Sequence, residues 1–238
     1  MAAEAPGTQA GSQTLSRGIR VLEALAAADR NLSIDEVAAA LGVHRSVAYR
    51  LVRTLEDHGL VARDAAGRLA LGAGLAALAA GVSRDLQQIV LPELNEVANE
   101  LGMTALLAVL LDGDEAVTLA SASPRRSAAV VSYRPGHRHP ITRGGPGKAI
   151  LLGIPDASWP ADVADGLRAE IAESRARGYA VSHDEVVPSL RSVAVPLTLP
   201  GQPPAALAVI HVSFPQPEAE IAARLQAAAG SIRRLSGA

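Results

Sequence analysis

Five side chains able to grip an anionic polymer, Arg45, Ser46, Tyr49, Arg50 and Arg53, fall at i, i+1, i+4, i+5 and i+8. At 3.6 residues per turn they share one face of a helix, while Ala48, Leu51, Val52 and Leu55 share the opposite face. No acidic residue occurs between Val37 and Leu55. Guanidinium groups can bond phosphate oxygens or, bidentately, a guanine edge, so this spacing predicts a helix that enters the major groove of DNA. Arg45 is the candidate for a base edge, Ser46 and Tyr49 for bases or phosphate, and Arg50 and Arg53 for backbone anchoring. Ser33 and His44, near the starts of consecutive helices, join this set. Arg63 and Arg68, farther along, are candidates for an adjacent groove or phosphate.

A second chemistry is written between Ser121 and Lys148, where Arg125, Arg126, Arg134, Arg138, Arg143 and Lys148 occur without an acid. There "RGGPGK" leads into an apolar run, and the free N–H groups of a helix start favour an anion. A small carboxylate ligand is the expectation. Nucleotide hydrolysis is not: a phosphate-binding loop needs Gly-x4-Gly-Lys-Ser/Thr, whereas Thr142 stands at the first Gly position and Ala149 follows the Lys. His137, His139, His183, Asp184, Glu185 and His211 could in principle serve acid–base or metal chemistry, but their spacings match no metal motif. "SHDE" reads equally well as a polar turn. No catalytic residue, metal or cofactor is therefore expected.

These groups need elements to position them. Ile19, Leu22, Leu25 and Ala26 recur at helical spacing within Leu15–Ala28. "SIDE" at Ser33–Glu36 has the form of a capping box opening a helix to Leu41. Gly42 permits a turn, and a third helix runs from Val43 or His44 to His58, stopped by Gly59. "LVARDAAGRLAL" suits a hairpin. Helix, helix, turn, helix, hairpin is the order of a winged helix-turn-helix. Leu71 to Leu86 reads as an Ala/Leu-rich linker helix and a plausible dimer contact. A helix over Leu86–Leu101 contains Pro92, which marks a start or a kink there.

Beyond Gly102 the pattern changes. Strands are expected on either side of Asp112-Gly113-Asp114, at Ala128–Tyr133, and in "SVAVPLTL" and "ALAVIHVSF". "GGPGKAILLG" reads as a loop entering a short helix. Further helices are expected over Leu167–Arg177, closed by Gly178, and Glu218–Leu235. The predicted class is α+β. The predicted organisation is a disordered tail at 1–13, a DNA-binding domain at 14–72, a linker helix at 73–85 and a mixed α/β domain at 86–238.

The composition fits this reading. Of 238 residues 49% are hydrophobic, with one Phe and one Trp, so the cores must be closely packed from Ala, Leu and Val. Cysteine is absent, excluding disulfides and thiolate metal sites and agreeing with a reducing cytoplasm. No signal peptide is evident, and the longest apolar runs are too short to span a bilayer, so no membrane partner is expected. The net charge of -2 is no objection to DNA binding, because the local balance from Leu15 to Leu71 is eight Arg against seven acids.

"LSIDEVAAALGVHRSVAYRLVRTLEDHGLV", "PGHRHPITRGGPGKAILL" and "GYAVSHDEVVPSLRSVAVPL" together resemble the IclR family of bacterial transcription regulators from Thr14 onward. Gly178, Ser182, Glu185, Ser192, Val193 and Ala194 match the family signature. Leu199, Leu69 and Pro188-Ser189 depart from the family pattern, and the segment from Gly153 to Gly166 is short. The resemblance implies a GAF-like effector domain, a homodimer or tetramer on an operator, and repression or activation under allosteric control by a small metabolite. By matched position its pocket would draw on His139, Gly145, Pro146, Ser182, Leu190, Ser192, His211 and Ser213. A winged-helix adaptor that binds no DNA is the alternative, and a His/Asp metal enzyme a more distant one.

Overall fold

Ser33 and Glu36 close the expected capping box: the Ser33 hydroxyl accepts from the Glu36 amide at 3.3 Å, and Glu36 Oε2 accepts from the Ser33 amide at 2.7 Å. This satisfies orphan donors at a helix start. It is seen in the computed structural model of the chain, which describes residues 11–82, 84–126, 131 and 133–237. The first unit, Met1–Val82, contains α1 (Gln13–Ala27), α2 (Ile34–Leu41), α3 (Arg45–Asp57) and the hairpin of β1 (Val61–Arg63) and β2 (Leu69–Leu71). Gly42 ends α2 at φ 65, a left-handed turn natural to glycine. Val21, Leu25, Val37, Leu41, Leu51, Val52, Val61 and Leu69 form its core.

Two expectations near the end of this unit need correction. A continuous helix over Leu71–Leu86 does not form: Leu71 ends β2, α4 covers only Gly74–Ala79, and α5 starts at Arg84. Backbone contact is the reason. The Gly72 amide donates to Leu60 O and the Gly74 amide to Gly59 O, and a Cβ on Gly72 would lie 2.1 Å from Gly59 O. Pro92 does not start a helix: it lies inside α5 (Arg84–Leu101). At the other end, Ser12 caps α1 at Gln13. The rest of the expected tail, residues 1–10, lies outside the described residues.

The second unit, Ser83–Ala238, is built on a six-stranded sheet. Its strands are β3 (Thr104–Asp112), β4 (Glu115–Ala122), β5 (Arg138–Pro140), β6 (Ala180–His183), β7 (Arg191–Leu197) and β8 (Ala205–His211), in the order β5-β4-β3-β8-β7-β6. Every neighbouring pair is antiparallel. Helices cover both faces, which explains why β3 and β8 read as unbroken apolar runs rather than alternating ones. Leu107, Val109, Val195 and Leu207 meet Val90, Leu94, Ile221 and Leu225 of α5 and α8 (Glu218–Leu235) on one side. Leu106, Ala108, Ala194 and Ala208 meet Ile150, Leu151 and Ile171 of α6 (Gly144–Gly153) and α7 (Asp165–Arg177) on the other.

Other differences arise in this unit. "GGPGK" is itself the first turn of α6 rather than a loop before it. β6, where no strand was expected, is an edge strand whose Ser182 pairs with Ser192, and the turn read at "SHDE" begins only after His183. The strand expected at Ala128–Tyr133 falls mostly on residues 128–130 and 132, outside the described residues; Tyr133 is not in a strand, and β5 forms the edge. The short segment after α6 holds a 3-10 turn at Asp156–Ser158 and buried Trp159, with the Arg168 and Arg175 guanidinium carbons each 5.5 Å from the ring centroid. No helix among the described residues is long and apolar enough to cross a membrane.

Leu69 is fully buried in the first core although an aromatic is usual there in the resembled family. Leu69→Ala should lower unfolding free energy by about 2–4 kcal/mol, as large-to-small core changes do. Urea titration followed by circular dichroism checks this, and a loss below about 1 kcal/mol would contradict the packing.

Candidate functional site

The ridge on α3 is raised by the burial of Ala48, Leu51 and Val52 beneath it. Arg45, Ser46, Tyr49, Arg50 and Arg53 are all exposed, Tyr49 at 54%. His44 is the N-cap of α3: its Nδ1 accepts from the Ser46 amide at 3.3 Å and lies 2.9 Å from the Ser46 hydroxyl. Ser33 is similarly engaged in capping α2.

Although no acid stands between Val37 and Leu55 in the sequence, the fold brings acids beside the cationic groups. Asp35 pairs with Arg45 at 3.0 Å, Asp57 with Arg53 at 3.4 Å, Glu56 with Arg63 at 2.6 Å and Glu36 with Arg68 at 3.6 Å. Glu36 also takes Arg30 at 2.5 Å; that bond, with those from Ser33, holds its carboxyl down at about 2. Asp57 meets Arg53 at i,i+4 within α3, a local spacing the sequence reading passed over, whereas Asp35, Glu36 and Glu56 meet Arg45, Arg68 and Arg63 only through the folded helix crossing or the hairpin. Among the described residues Arg50 is the member of the α3 set with no carboxylate partner; it borders a groove between α1 and α3 with Arg17, Thr14 and Thr54. Pairs this exposed contribute only about 0–1 kcal/mol each. A competing anion can therefore displace the carboxylate at little cost.

The second site is a cavity at the α6 N-terminus with about 340 Å³ of empty space, part of it open to solvent. Of the residues named from the sequence, His139, Pro146, Ser182, Leu190 and Ser192 line it. Gly145 adjoins it, its amide donating to the hydroxyls of Ser182 and Ser192 at 3.0 Å each. His211 and Ser213 are not brought in: His211 Nδ1 bonds the Ser213 backbone at the exposed end of β8. Sequence reading missed Tyr133, Gly144, Glu185, Val186, Val187, Arg191 and Ile210 in the lining. Glu185 and Arg191 lay within the quoted signature stretch, but nothing in the pattern said which way they face.

None of the six cations between Ser121 and Lys148 lines the cavity. Arg138 pairs with Glu115 at 2.6 Å, and Lys148 is buried between Glu170 at 2.6 Å and Glu185 at 2.5 Å. The α6 start is not open either. The Gly144 amide donates to Glu185 Oε2 at 2.9 Å, Gly145 is taken by the serines, and Pro146 has no N–H. The cation in the lining is Arg191, which also pairs with Glu218 at 3.0 Å. The glycines serve close packing. A Cβ on Gly145 would lie 2.1 Å from Ser192 Oγ, and one on Gly147 would lie 2.7 Å from Ile141 O.

His139 is 4% exposed, and neither ring nitrogen has a partner. Burial, assisted by nearby His137, lowers its pKa to about 4. At neutral pH it offers the cavity one donor and one acceptor. Burial also raises the Tyr133 phenol to about 12, so it stays protonated. His137 lies beside both, its ring centroid 4.6 Å from that of Tyr133 and 6.2 Å from that of His139, and among the described residues no group of three or more His, Cys, Asp or Glu is placed to hold a metal ion.

Residues 14–65 match the model of the IclR helix-turn-helix domain, and residues 78–234 match that of the C-terminal domain of the bacterial transcriptional regulator IclR. Among curated relatives, the chain is 34% identical over 157 residues to the helix-turn-helix regulator Rv1719 of Mycobacterium tuberculosis, covering 65% of this chain and 60% of that one. It is 30% identical over 162 residues to the regulator TtgV of Pseudomonas putida, covering 68% and 62%. Each match thus spans less than two thirds of the relative. An IclR transcriptional regulator from Alicyclobacillus acidocaldarius superposes with TM-score 0.83 at 27% identity, covering 96% of this chain and all of that one.

Two outcomes follow from the cavity. Gly145→Ala should destabilise the second unit by forcing α6 away from β7, read as a lowered Tm; an unchanged Tm would refute the close approach. The unfolded His139 takes up its proton as pH falls through about 6.5, the native one only near 4. Over that window the unfolded state binds more protons, so stability falls with falling pH, by up to about 3 kcal/mol. His139→Asn should flatten that part of the pH–stability curve relative to wild type, and parallel curves would show that His139 does not titrate this way.

Proposed function

The chain belongs to the IclR family of bacterial transcription regulators, and we propose from that premise that it binds operator DNA through α3 and its wing under the control of a small metabolite. The observation that carries this is the exposed cationic ridge on α3, braced from below by buried Ala48, Leu51 and Val52. Arg45 is the candidate for a base edge, and Arg50 and Arg53 for phosphates, with Arg63 and Arg68 on the wing. The protein acts as a homodimer reading two half-sites, because one such module makes few contacts. Exposed apolar side chains in the first unit, Leu15 and Ile19 on α1 and Leu78 on α4, supply surface for that association.

The second unit, with its sheet covered by helices on both faces, is read as GAF-like. Its cavity has the mixture expected of a small-molecule site, an apolar wall of Val186, Val187, Leu190 and Ile210 with a few directed polar groups. A carboxylate-bearing effector is favoured, with Arg191 as one cation available to it. Such a ligand shifts DNA affinity only by its differential affinity for DNA-competent and DNA-incompetent states of the chain. The cytoplasm is its compartment.

A gel shift against DNA upstream of the protein's own gene tests the reading. Arg50→Ala should weaken binding at least fivefold, and affinity should fall steeply with salt through counterion release. Asp35→Asn frees Arg45 and should strengthen binding, whereas Arg45→Ala should weaken it. Equal shifts with all three variants would remove the DNA assignment from α3 and favour the adaptor reading.

A further inference from the structure

Glu185 occupies a position out of keeping with an ordinary surface acid. It sits on the loop joining β6 to β7, lines the cavity, and spans two donors at the start of α6. Oε2 accepts from the Gly144 amide at 2.9 Å, and Oε1 from Lys148 Nζ at 2.5 Å. This is bidentate capture of a carboxylate by a helix N-terminus and a buried ammonium. The lysine does not depend on Glu185 alone, since its side chain is 4% exposed and also bonds Glu170 at 2.6 Å and Val181 O at 3.4 Å. If Glu185 swings away, one amide and one ammonium proton are left facing the cavity, beside a cation already neutralised by Glu170.

A second, independent feature marks the same spot as a ligand position. His139 is buried with both ring nitrogens unpartnered, and its Nε2 lies 3.8 Å from where a Cβ on Gly144 would stand. A buried polar group without a partner is costly unless something else satisfies it. The loop carrying Glu185 is also poised. Asp184 and Ser189 adopt φ 60 and φ 65, the left-handed region that disfavours residues with side chains. The Asp184 carboxylate holds the Ser189 amide at 2.5 Å, and Val186 packs against Gly144.

We propose that Glu185 is an internal stand-in for the effector's carboxylate, holding the α6 donors in the ligand-free chain and yielding them to a small organic acid. This rests on the reading of the cavity as the effector site and specifies the ligand class and the contact it displaces. The incoming carboxylate takes the Gly144 N–H and a Lys148 N–H, its body lies on the apolar wall, and His139 serves the remaining polar group. Release of Glu185 frees the loop, which makes the exchange a signal as well as a binding event. A tethered carboxylate competes at high effective concentration, so affinity for acids is set low while it is present.

The test uses the full chain with acetate, small enough for the vacated position, and acetamide as its uncharged analogue, at constant ionic strength. Acetate should raise the Tm of Glu185→Ala saturably, with an apparent affinity at least tenfold tighter than for wild type, and acetamide should have no such effect. Should Glu185→Ala fail to fold, Glu185→Ser removes the same carboxylate and carries the same expectation. An acetate response equal in variant and wild type, or a response matched by acetamide, overturns the proposal. Operator binding, measured separately by gel shift without acetate, stands or falls independently, so failure of the stand-in and failure of the regulator reading are distinguishable.

Discussion

Close approach of backbone to backbone, allowed by residues with little or no side chain, is the constraint on which both units rest. With one Phe and one Trp in 238 residues, the chain cannot fill wide gaps with large rings. Its layers are instead drawn together over alanine and glycine. In the first unit buried Ala38 and Ala48 offer little bulk to the α2 and α3 helices, and Gly72 and Gly74 let the hairpin end lie on the Gly59 turn. In the second, Gly145 sets α6 against Ser192, and Gly147 sets it against Ile141. The cavity exists because α6 is held this near to β6 and β7, and its polar lining is largely the set of groups that do the holding.

Charge is handled differently in the two sites because solvent exposure differs. On α3 and the hairpin, Arg45, Arg53, Arg63 and Arg68 rest against nearby carboxylates close to solvent, where such pairs stabilise little and are readily exchanged. At α6, Lys148 is buried, so at least one carboxylate must stay beside it at all times. Glu170 and Glu185 share that duty, but Glu170 comes from α7 whereas Glu185 comes from a loop with two left-handed residues that faces the cavity. Ser189, at one of those strained positions, belongs to the Pro188-Ser189 pair that departs from the glycine usual in the family.

Much of the fold was legible because local signals agreed. The capping box at Ser33, the turn at Gly42, the αL glycine at Gly178 and the final helix over Glu218–Leu235 all stand as read. Misreadings came where tertiary contact overrode pattern. Leu71–Leu86 has helical composition, but its glycines are anchored to another turn. Ala180–His183 is too short to show a period, and it becomes a strand because β7 offers an edge. "GGPGK" has loop composition, yet enters α6 because small residues alone fit beside Ile141 and Ser192.

The amino-acid order alone determined the two-part architecture, the cationic face of α3 and three of the cavity's polar residues, His139, Ser182 and Ser192, because helical periodicity, capping and signature spacing are local properties of the chain. Tertiary structure alone decided who neutralises whom. That Asp35 meets Arg45, that Glu185 fills the α6 start, and that His139 is left without a partner while His211 is turned away are facts about side chains distant in sequence. A carboxylate's partner depends on distance in space, over which Coulomb and hydrogen-bond energies fall steeply, and spacing along the chain does not encode it.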